Sequence, residues 1–172
     1  MVCPECGKKM KKTTGDYRYK ESGMDNVMLL DIPLYICNCG EKMPAIPGIL
    51  NLHSLIAEEI IKNPKPLTGN EIRFLRKEMG LKANDFAAKL GVNKVTVSRW
   101  ENDAELISTT GDKLVRSLFI LHKEELGNRH FQKAFKFVSS VGTKRALKAV
   151  KISIPIQRIR NYKGFGEHHK AP

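Results

Sequence analysis

Residues 81–101 read LKANDFAAKLGVNKVTVSRWE, and this stretch decides the expected fold. Its first half has apolar residues spaced three and four apart, which predicts a short helix over residues 84–90. These apolar residues are Phe86, Ala87 and Leu90. Gly91 can adopt the positive φ that ends a helix, and Asn93 is a good N-cap for a second helix over residues 94–102. Two helices joined by a glycine turn predict a helix-turn-helix.

The outer face of the second helix has side chains that can read the edges of DNA bases. A helix about 10 Å across fits the major groove of B-DNA, where each base pair displays a distinct set of donors and acceptors. Arg99 can donate two hydrogen bonds to one guanine, and Thr96 and Val95 can contact base edges or a thymine methyl group. Val97 and Trp100 are expected to pack inside the domain. We therefore predict that Val95, Thr96 and Arg99 read the DNA sequence.

Phosphate contacts are expected from the starts of the same two helices. Asn93 and Lys94 begin the second helix, and Lys82 and Asn84 begin the first. Amide donors and positive charge at these places fix the register of a protein on DNA without reading its sequence. Glu101 is expected to form an ion pair or a cap within the fold, because a carboxylate that faced phosphate would be repelled.

The helix before this motif has a clear start signal. Thr68 and Glu71 have the spacing of a capping box, and Leu67 can contact Ile72 as a hydrophobic staple. This helix is expected to run to Gly80. The helix-turn-helix domain is therefore predicted to begin at residue 67, and we place its end at residue 126.

Further apolar stripes lie on either side of this domain. After it, Ser108 and Thr109 can cap a helix with leucines on one side, which we interpret as core or as a dimer surface. These leucines are Leu114, Leu118 and Leu121. Before it, residues 49–66 are predicted to be a helical connector and linker, because apolar residues recur at helical spacing until the two prolines at 64 and 66. The connector's stripe can pack within its own domain or form a dimer contact.

All four cysteines lie in the first 39 residues as two close pairs, CPECG at residues 3–7 and CNCG at residues 37–40. In a reducing cytosol, such pairs favour a metal over disulfides, and Zn²⁺ prefers a tetrahedral set of four ligands. A glycine after each pair permits a turn in which amide hydrogens can point at the sulfurs. We predict a structural zinc site formed by Cys3, Cys6, Cys37 and Cys39. A β-ribbon between the pairs, with strand propensity on both sides of a turn at residues 22–25, completes a zinc-ribbon domain over residues 1–48.

Alternatives for the cysteines stay open at this point. The second pair is one residue shorter than C-x2-C, so three cysteines could be joined by another ligand, and His53 is the nearest substitute. A thiol redox role for Cys3 and Cys6 is the other alternative. A zinc ion with four protein ligands has no open position for water, and no nucleophile triad, phosphate loop or carboxylate pair can be assembled. The protein is therefore not expected to be an enzyme.

The net charge of +12 points to a polyanionic partner, and most of the excess is C-terminal. Residues 129–172 contain 11 of the 30 Lys and Arg residues and a single acidic residue, Glu167. We predict a basic C-terminal extension over residues 127–172, partly disordered or strand-like, that contacts phosphates; a solvated tail without a fixed partner is the alternative. Isoleucines at 152, 154 and 156 alternate with other residues, and Pro155 confines such a strand to an edge or to an extended arm that orders on a partner. Deletion of residues 129–172 should flatten the salt dependence of DNA affinity.

No stretch approaches the roughly 18 to 20 consecutive apolar residues that span a bilayer. The first residues, MVCP, cannot begin the apolar core of a signal peptide. We therefore expect a cytoplasmic protein that does not bind membranes.

Residues 81–101, and the ending VSRWE at 97–101 above all, resemble the lambda-repressor/Cro-like (XRE) DNA-binding domain. Together with the N-terminal cysteine pairs, residues 1 to about 121 resemble MqsA-type antitoxins with a YgiT-type zinc finger and related regulators. This sequence departs from the XRE pattern at three positions, where Lys82 replaces a common Ser or Thr cap, Ala83 a frequent glutamine, and Asp103 a frequent glycine.

The resemblance implies a mainly α fold with a small β zinc ribbon, in which the four-cysteine domain precedes a lambda-repressor-like bundle; the basic extension follows and is not covered by the resemblance. It also implies a repressor that binds double-stranded operator DNA. Residues 67–128 have nearly balanced charge, which predicts that such a repressor binds DNA as a homodimer. The function expected from the resemblance is an autoregulating antitoxin of a type II toxin-antitoxin system, whose zinc domain binds a toxin ribonuclease. The alternative is a stand-alone XRE-family repressor with a structural zinc domain and no toxin partner.

Overall fold

A computed structural model describes residues 1–125 and 150–162, except for the side chains of residues 124 and 125. Its N-terminal part is a sheet in which β1 (Lys11–Arg18) and β2 (Val27–Ile36) are antiparallel neighbours. A short 3-10 turn (Lys20–Ser22) lies between them, and β3 (Lys42–Pro44) pairs antiparallel with the C-terminal end of β2. The ribbon predicted between the cysteine pairs is therefore present.

A fourth strand comes from the far end of the described chain. β4 (Ile152–Pro155) lies parallel to the N-terminal half of β2, where Val27 is opposite Ile152. Among the described strands β4 pairs only with β2, so Pro155 lies on an edge, where its missing amide hydrogen costs no ladder hydrogen bond. Ile152 and Ile154 thus lie in an edge strand of the chain's own sheet and not in an extended arm, whereas Ile156 begins a short helix. Residues 127–149 and 163–172 of the predicted basic extension lie outside the described residues.

Helices make up most of the rest of the described chain. The first five agree with the sequence pattern to within one or two residues, whereas the sixth begins at Ile156, where the strand-like pattern was expected to continue. The helices are α1 (Ile49–Lys62), α2 (Gly69–Glu78), α3 (Ala83–Leu90), α4 (Lys94–Glu101), α5 (Thr109–Glu125) and the short α6 (Ile156–Arg160). The capping box before α2 is confirmed: the Thr68 side chain accepts from the Glu71 amide, and the Glu71 carboxylate accepts from the Thr68 amide.

One continuous apolar core joins the sheet to the helices. It contains Leu29 of β2, Leu55 of α1, Phe86 of α3 and Phe119 of α5, all of them fully buried. The apolar stripe of α1 is used here, within the chain, since α1 contacts α2, β4 and α6. The cysteine end of the sheet has a separate and much smaller cluster, in which Cys3, Met10 and Cys37 are buried.

The connector between α1 and α2 is fixed by a buried arginine of α5. The guanidinium of Arg116 donates to the carbonyl oxygens of four residues at and after the end of α1, namely Ile60, Ile61, Asn63 and Lys65. Its Nε also bonds to Asp112 at 2.6 Å, and Asp112 accepts the amide of Leu67. The orphan carbonyls of a helix C-terminus are thereby satisfied by a cation, which complements the helix dipole. This linker is therefore tied to the helix-turn-helix domain.

The leucines of α5 differ, because Leu118 packs against the core whereas the other two do not. Leu114 and Leu121 are 43% and 46% exposed, whereas Val115, Phe119 and Ile120 are buried. The expectation of a core role is wrong for Leu114 and Leu121. Their use as a dimer surface stays a prediction.

Candidate nucleic-acid interface and metal centre

The turn between α3 and α4 is built as its residues require. Gly91 has φ 65°, and its amide donates to the carbonyl oxygens of Ala87 and Ala88, which ends α3. The side chain of Asn93 then caps α4 by accepting a hydrogen bond from the amide of Val95 at 2.9 Å. A left-handed residue followed at once by an N-cap fixes the angle between the two helices.

The two faces of α4 differ sharply in exposure. Val97 and Trp100 are buried in the core, as expected from their apolar character. On the other side, Val95 is 55% exposed, the Arg99 side chain is 62% exposed, and Thr96 is half-buried. No other part of the described chain therefore covers the face on which the three predicted base-reading residues lie.

The four predicted phosphate-contacting residues are also exposed. They are Lys82 and Asn84 at the start of α3, and Asn93 and Lys94 at the start of α4. Lys82 is the N-cap of α3 but makes no side-chain capping hydrogen bond. Its ammonium group is therefore not used to cap the helix.

Glu101 has a structural role, as predicted. It is buried at the end of α4, where Arg76 contacts its carboxylate at 2.6 and 3.1 Å. Arg73 approaches the same carboxylate at 3.4 Å and donates to the Glu101 carbonyl oxygen at 2.6 Å. These arginines join the end of α4 to α2, the helix that precedes the motif.

The replacement of glycine by Asp103 has a physical explanation. Asp103 has φ 53°, a left-handed conformation that favours glycine but that Asp and Asn tolerate better than most residues. Its carboxylate accepts the amide of Gly69 at 2.8 Å, which satisfies one free donor at the start of α2. A Cβ at Gly69 would lie 2.5 Å from the Trp100 carbonyl oxygen, so α2 begins in close contact with the end of α4.

The four cysteine sulfurs converge on one point. All four lie within 4.8 Å of one another, with Cys3 3.6 Å from Cys39 and Cys6 3.3 Å from Cys37. A tetrahedral Zn²⁺ with Zn–S distances of about 2.3 Å places its sulfurs about 3.8 Å apart, so the donor set fits this ion. The short contacts run between the two pairs and not within Cys3 and Cys6, which favours a shared ion over a CxxC redox pair.

The glycines after both pairs adopt the turn conformation that we predicted. Gly7 and Gly40 have φ 70° and 97°, and their amides donate to the carbonyl oxygens of Cys3 and Cys37 and not to sulfur. The amide of Lys8, the residue after Gly7, forms a hydrogen bond with Cys6.

The neighbouring sulfurs affect the protonation of Cys6. The Lys8 amide lowers the pKa of Cys6, but hydrogen bonds to Cys37, burial and the other cysteines raise it, to about 12. A divalent soft cation bound between the sulfurs would favour the thiolate forms that ligate it. The cluster therefore has the chemistry of a thiolate metal site.

His53 is not a substitute ligand. Its Nε2 lies 2.8 Å from the Tyr19 hydroxyl, and its Nδ1 lies 2.8 Å from Glu78 Oε1, so both ring nitrogens have partners. Burial, with the carboxylates of Glu21 and Glu78, raises the pKa of Tyr19 to about 12, so the phenol keeps its proton and can donate it to the ring. The edge of Phe74 also packs against the ring. His53 thus connects Tyr19, just after β1, to Glu78 of α2, a role that its sequence neighbours do not indicate.

The comparisons agree with the helical half of this description. Residues 72–116 match the helix-turn-helix family, and this range covers most of α2, all of α3 and α4, and the start of α5. The match indicates a DNA-binding regulator of the XRE type, a class that typically has no enzymatic activity. No curated protein and no solved structure matches the chain. Among the described residues, no helix has the length and apolar character needed to cross a membrane.

Proposed function

We propose that the protein is a sequence-specific transcriptional regulator that reads operator DNA with the outer face of α4. The observation that supports this most directly is the outer face of α4, where Val95 and Arg99 are exposed and Thr96 is half-buried, on a helix whose other side is buried in the core. A side chain that reads bases must be exposed to solvent at its tip and fixed at its backbone. Arg99 meets both conditions.

The phosphate contacts are assigned to Lys82, Asn84, Asn93 and Lys94. Their positions at the starts of α3 and α4 bring exposed polar and positive groups to the ends of the reading surface. Such contacts strengthen binding to any duplex and fix the register of α4 in the groove.

The zinc ion has a structural role in this proposal. Cys3, Cys6, Cys37 and Cys39 would hold it and close the small end of the sheet. Four protein ligands leave no position for a reacting water, so no catalytic step is assigned to the metal.

Homodimerisation is the next part of the proposal. Residues 67–128 have 10 basic and 9 acidic side chains, so one domain of this kind has little net charge with which to hold DNA. Two copies would place two reading helices about 34 Å apart on a palindrome. The exposed leucines of α5, Leu114 and Leu121, with Leu106 before the helix, are the apolar surface that we assign to this contact.

The test uses a duplex chosen by selection from a random pool, or the DNA upstream of the gene, beside a scrambled duplex of equal length. Arg99→Ala should weaken binding to the selected duplex by about 10- to 100-fold and to the scrambled duplex by much less, because a bidentate guanine contact discriminates by about 1–3 kcal/mol. Lys94→Ala is the matched contrast, and it should weaken both about equally and lower the salt slope by about one. Equal losses on both duplexes in Arg99→Ala would contradict the reading role of α4.

The role of the basic extension is better tested by point substitutions than by deletion. Removing residues 129–172 would also remove β4, whose Ile152 and Ile154 are buried against the sheet. Substitution of exposed charges such as Lys151 and Arg160 changes the charge and leaves the strand in place. If the extension contacts phosphates, these substitutions should lower the salt slope.

The finer proposal is that this regulator is an antitoxin in the cytoplasm, whose zinc domain binds a toxin protein. In its support, β1 is largely exposed and pairs with β2 alone among the described strands, so an edge is available to a partner. A small toxin gene beside this gene, and co-purification of its product with the full chain, would support this function. Absence of both would favour the stand-alone repressor.

A further inference from the structure

Three acidic residues follow one another at alternate positions from the end of α4: Glu101, Asp103 and Glu105. The fold uses the first two. Glu101 is paired with arginines of α2, and the carboxylate of Asp103 accepts the Gly69 amide. Glu105 is different, because its side chain is 49% exposed and its ion pair within the described chain is with Arg99. A carboxylate therefore lies on the outer surface beside the arginine assigned to base reading.

The backbone places this carboxylate with respect to Arg99. The amides of Ala104 and Glu105 both donate to the Arg99 carbonyl oxygen, at 2.9 and 3.3 Å. The left-handed Asp103 turns the chain so that both amides reach this acceptor. Glu105 is thus anchored by hydrogen bonds to the same residue with which its side chain pairs.

The pair is loose enough to be shared with DNA. Glu105 Oε2 lies 3.7 Å from Arg99 Nη1, which is a charge contact longer than a hydrogen bond, and the Arg99 side chain is 62% exposed. A guanidinium has five donors, so one edge can face a carboxylate while another meets the O6 and N7 of guanine. The same carboxylate repels phosphate.

We propose that Glu105 is a specificity-determining residue of the DNA site, which orients the Arg99 guanidinium toward bases and penalises binding to unrelated duplexes. This inference rests on the proposed function of α4. On the correct base, the bidentate contact of Arg99 offsets the repulsion. On a random sequence the repulsion remains without that compensation.

The test is Glu105→Gln, which removes the charge and keeps the shape. We expect affinity for a scrambled duplex to rise about 5- to 10-fold and affinity for the selected duplex to change by less than about 2-fold, since non-specific affinity is mainly electrostatic. Asp85→Asn is the matched control, because Asp85 is an exposed acid on the neighbouring α3 with no ion pair among the described residues. It should alter both affinities by the same factor and leave their ratio unchanged.

A second pair of variants separates orientation from plain repulsion. In an Arg99→Ala background, Glu105→Gln should strengthen both duplexes by about the same factor, because no guanidinium is left to orient. If the ratio of affinities falls as far without Arg99 as with it, orientation is wrong. Glu105→Ala gives the same comparison should the glutamine make new hydrogen bonds to DNA.

The outcomes also separate this inference from the proposed function. If the wild-type protein prefers no sequence in the selection, the proposed function fails and this inference fails with it. If the wild type is selective and Glu105→Gln keeps the same ratio of affinities, only the role of Glu105 is overturned. The thermal unfolding of each variant should match the wild type, because the side chain is half-exposed and outside the core.

Discussion

The helix-turn-helix and the cysteine end of the sheet are stabilised by different interactions. Phe86, Val97 and Phe119 belong to a core that continues into α1 and β2, whereas the cluster near the cysteines buries only Cys3, Met10 and Cys37 within the described chain. So few buried side chains cannot offset the conformational entropy of ordering the loops around them. Metal binding should therefore determine the structure of the cysteine end, and apolar burial should determine that of the helix-turn-helix.

The largest expected effect comes from removing a metal ligand. Cys37→Ser should lower the zinc content from about one ion per chain to near zero, because structural zinc sites need their four ligands. The cysteine end should then lose its order while α2 to α5 keep theirs. Hydrogen exchange measures this directly, since the bonds from the Cys3 amide to Lys8 and from the Cys37 amide to Glu41 belong to the affected region.

Asn38→Ala is the control for this experiment, because Asn38 is exposed between the two cysteines. It should leave zinc content and amide protection unchanged. If Cys37→Ser instead unfolds the whole chain in one step, the cysteine end and the helix-turn-helix are not stabilised separately.

The next effect lies within the larger region, at the linker between α1 and α2. Arg116→Met should lower the free energy of unfolding by about 3–5 kcal/mol, because it leaves the buried carboxylate of Asp112 without its cation. It also removes the hydrogen-bond donor of the carbonyl oxygens through which Arg116 holds the end of α1 and the linker after it. Denaturant unfolding gives this value.

Two further variants sharpen that test. Arg160→Ala, at an exposed arginine of α6, should change the stability by no more than about 0.5 kcal/mol. The double variant Arg116→Met with Asp112→Leu should recover part of the loss, since no unpaired charge is then buried. A single Arg116→Met variant as stable as the wild type would mean that the connector is not held by this arginine.

The roles that could be predicted from the sequence are those that depend on residues close together along the chain. Thr68 and Glu71 are three residues apart, and Asn93 caps an amide two residues away, so their roles can be read from local spacing. The cysteines were also predictable, because few other roles need four thiols in two close pairs. The carbonyl partners of Arg116 lie 51 to 56 positions away, and nothing in the local pattern identifies them.

Long-range pairing accounts for the remaining errors. The side chain of Asn26 donates to the carbonyl oxygen of Val150, 124 positions away, at the place where β4 joins β2. The isoleucine pattern predicted a strand but did not indicate which strand it would pair with, because any exposed sheet edge offers unpaired backbone groups to such a strand. On α5, two apolar sides have similar spacing, and only the packing of Phe119 shows which one is covered.

A smaller effect is expected where α2 meets α4. Gly69→Ala should destabilise the protein by about 1–3 kcal/mol, because the added Cβ would lie 2.5 Å from a backbone oxygen of Trp100 and the helices must move apart. Lys77→Ala, at an exposed position of the same helix, is the control and should be nearly neutral. Zinc content should stay the same in both variants. A parallel loss of zinc would show that the two regions are more strongly coupled than the comparison allows.

The smallest effect separates stability from function within the helix-turn-helix. Lys82 is the N-cap of α3 with extended φ and ψ of −70° and 157°, a geometry that a serine cap adopts, but its side chain makes no capping bond. Lys82→Ser should therefore raise the stability by about 0.5–1 kcal/mol and weaken DNA binding several-fold through the loss of a phosphate contact. Lys82→Ala should weaken DNA binding equally without the gain in stability. If serine stabilises the protein and DNA affinity does not fall, Lys82 only occupies the N-cap position and does not contact phosphate. The DNA-contacting surface then excludes Lys82.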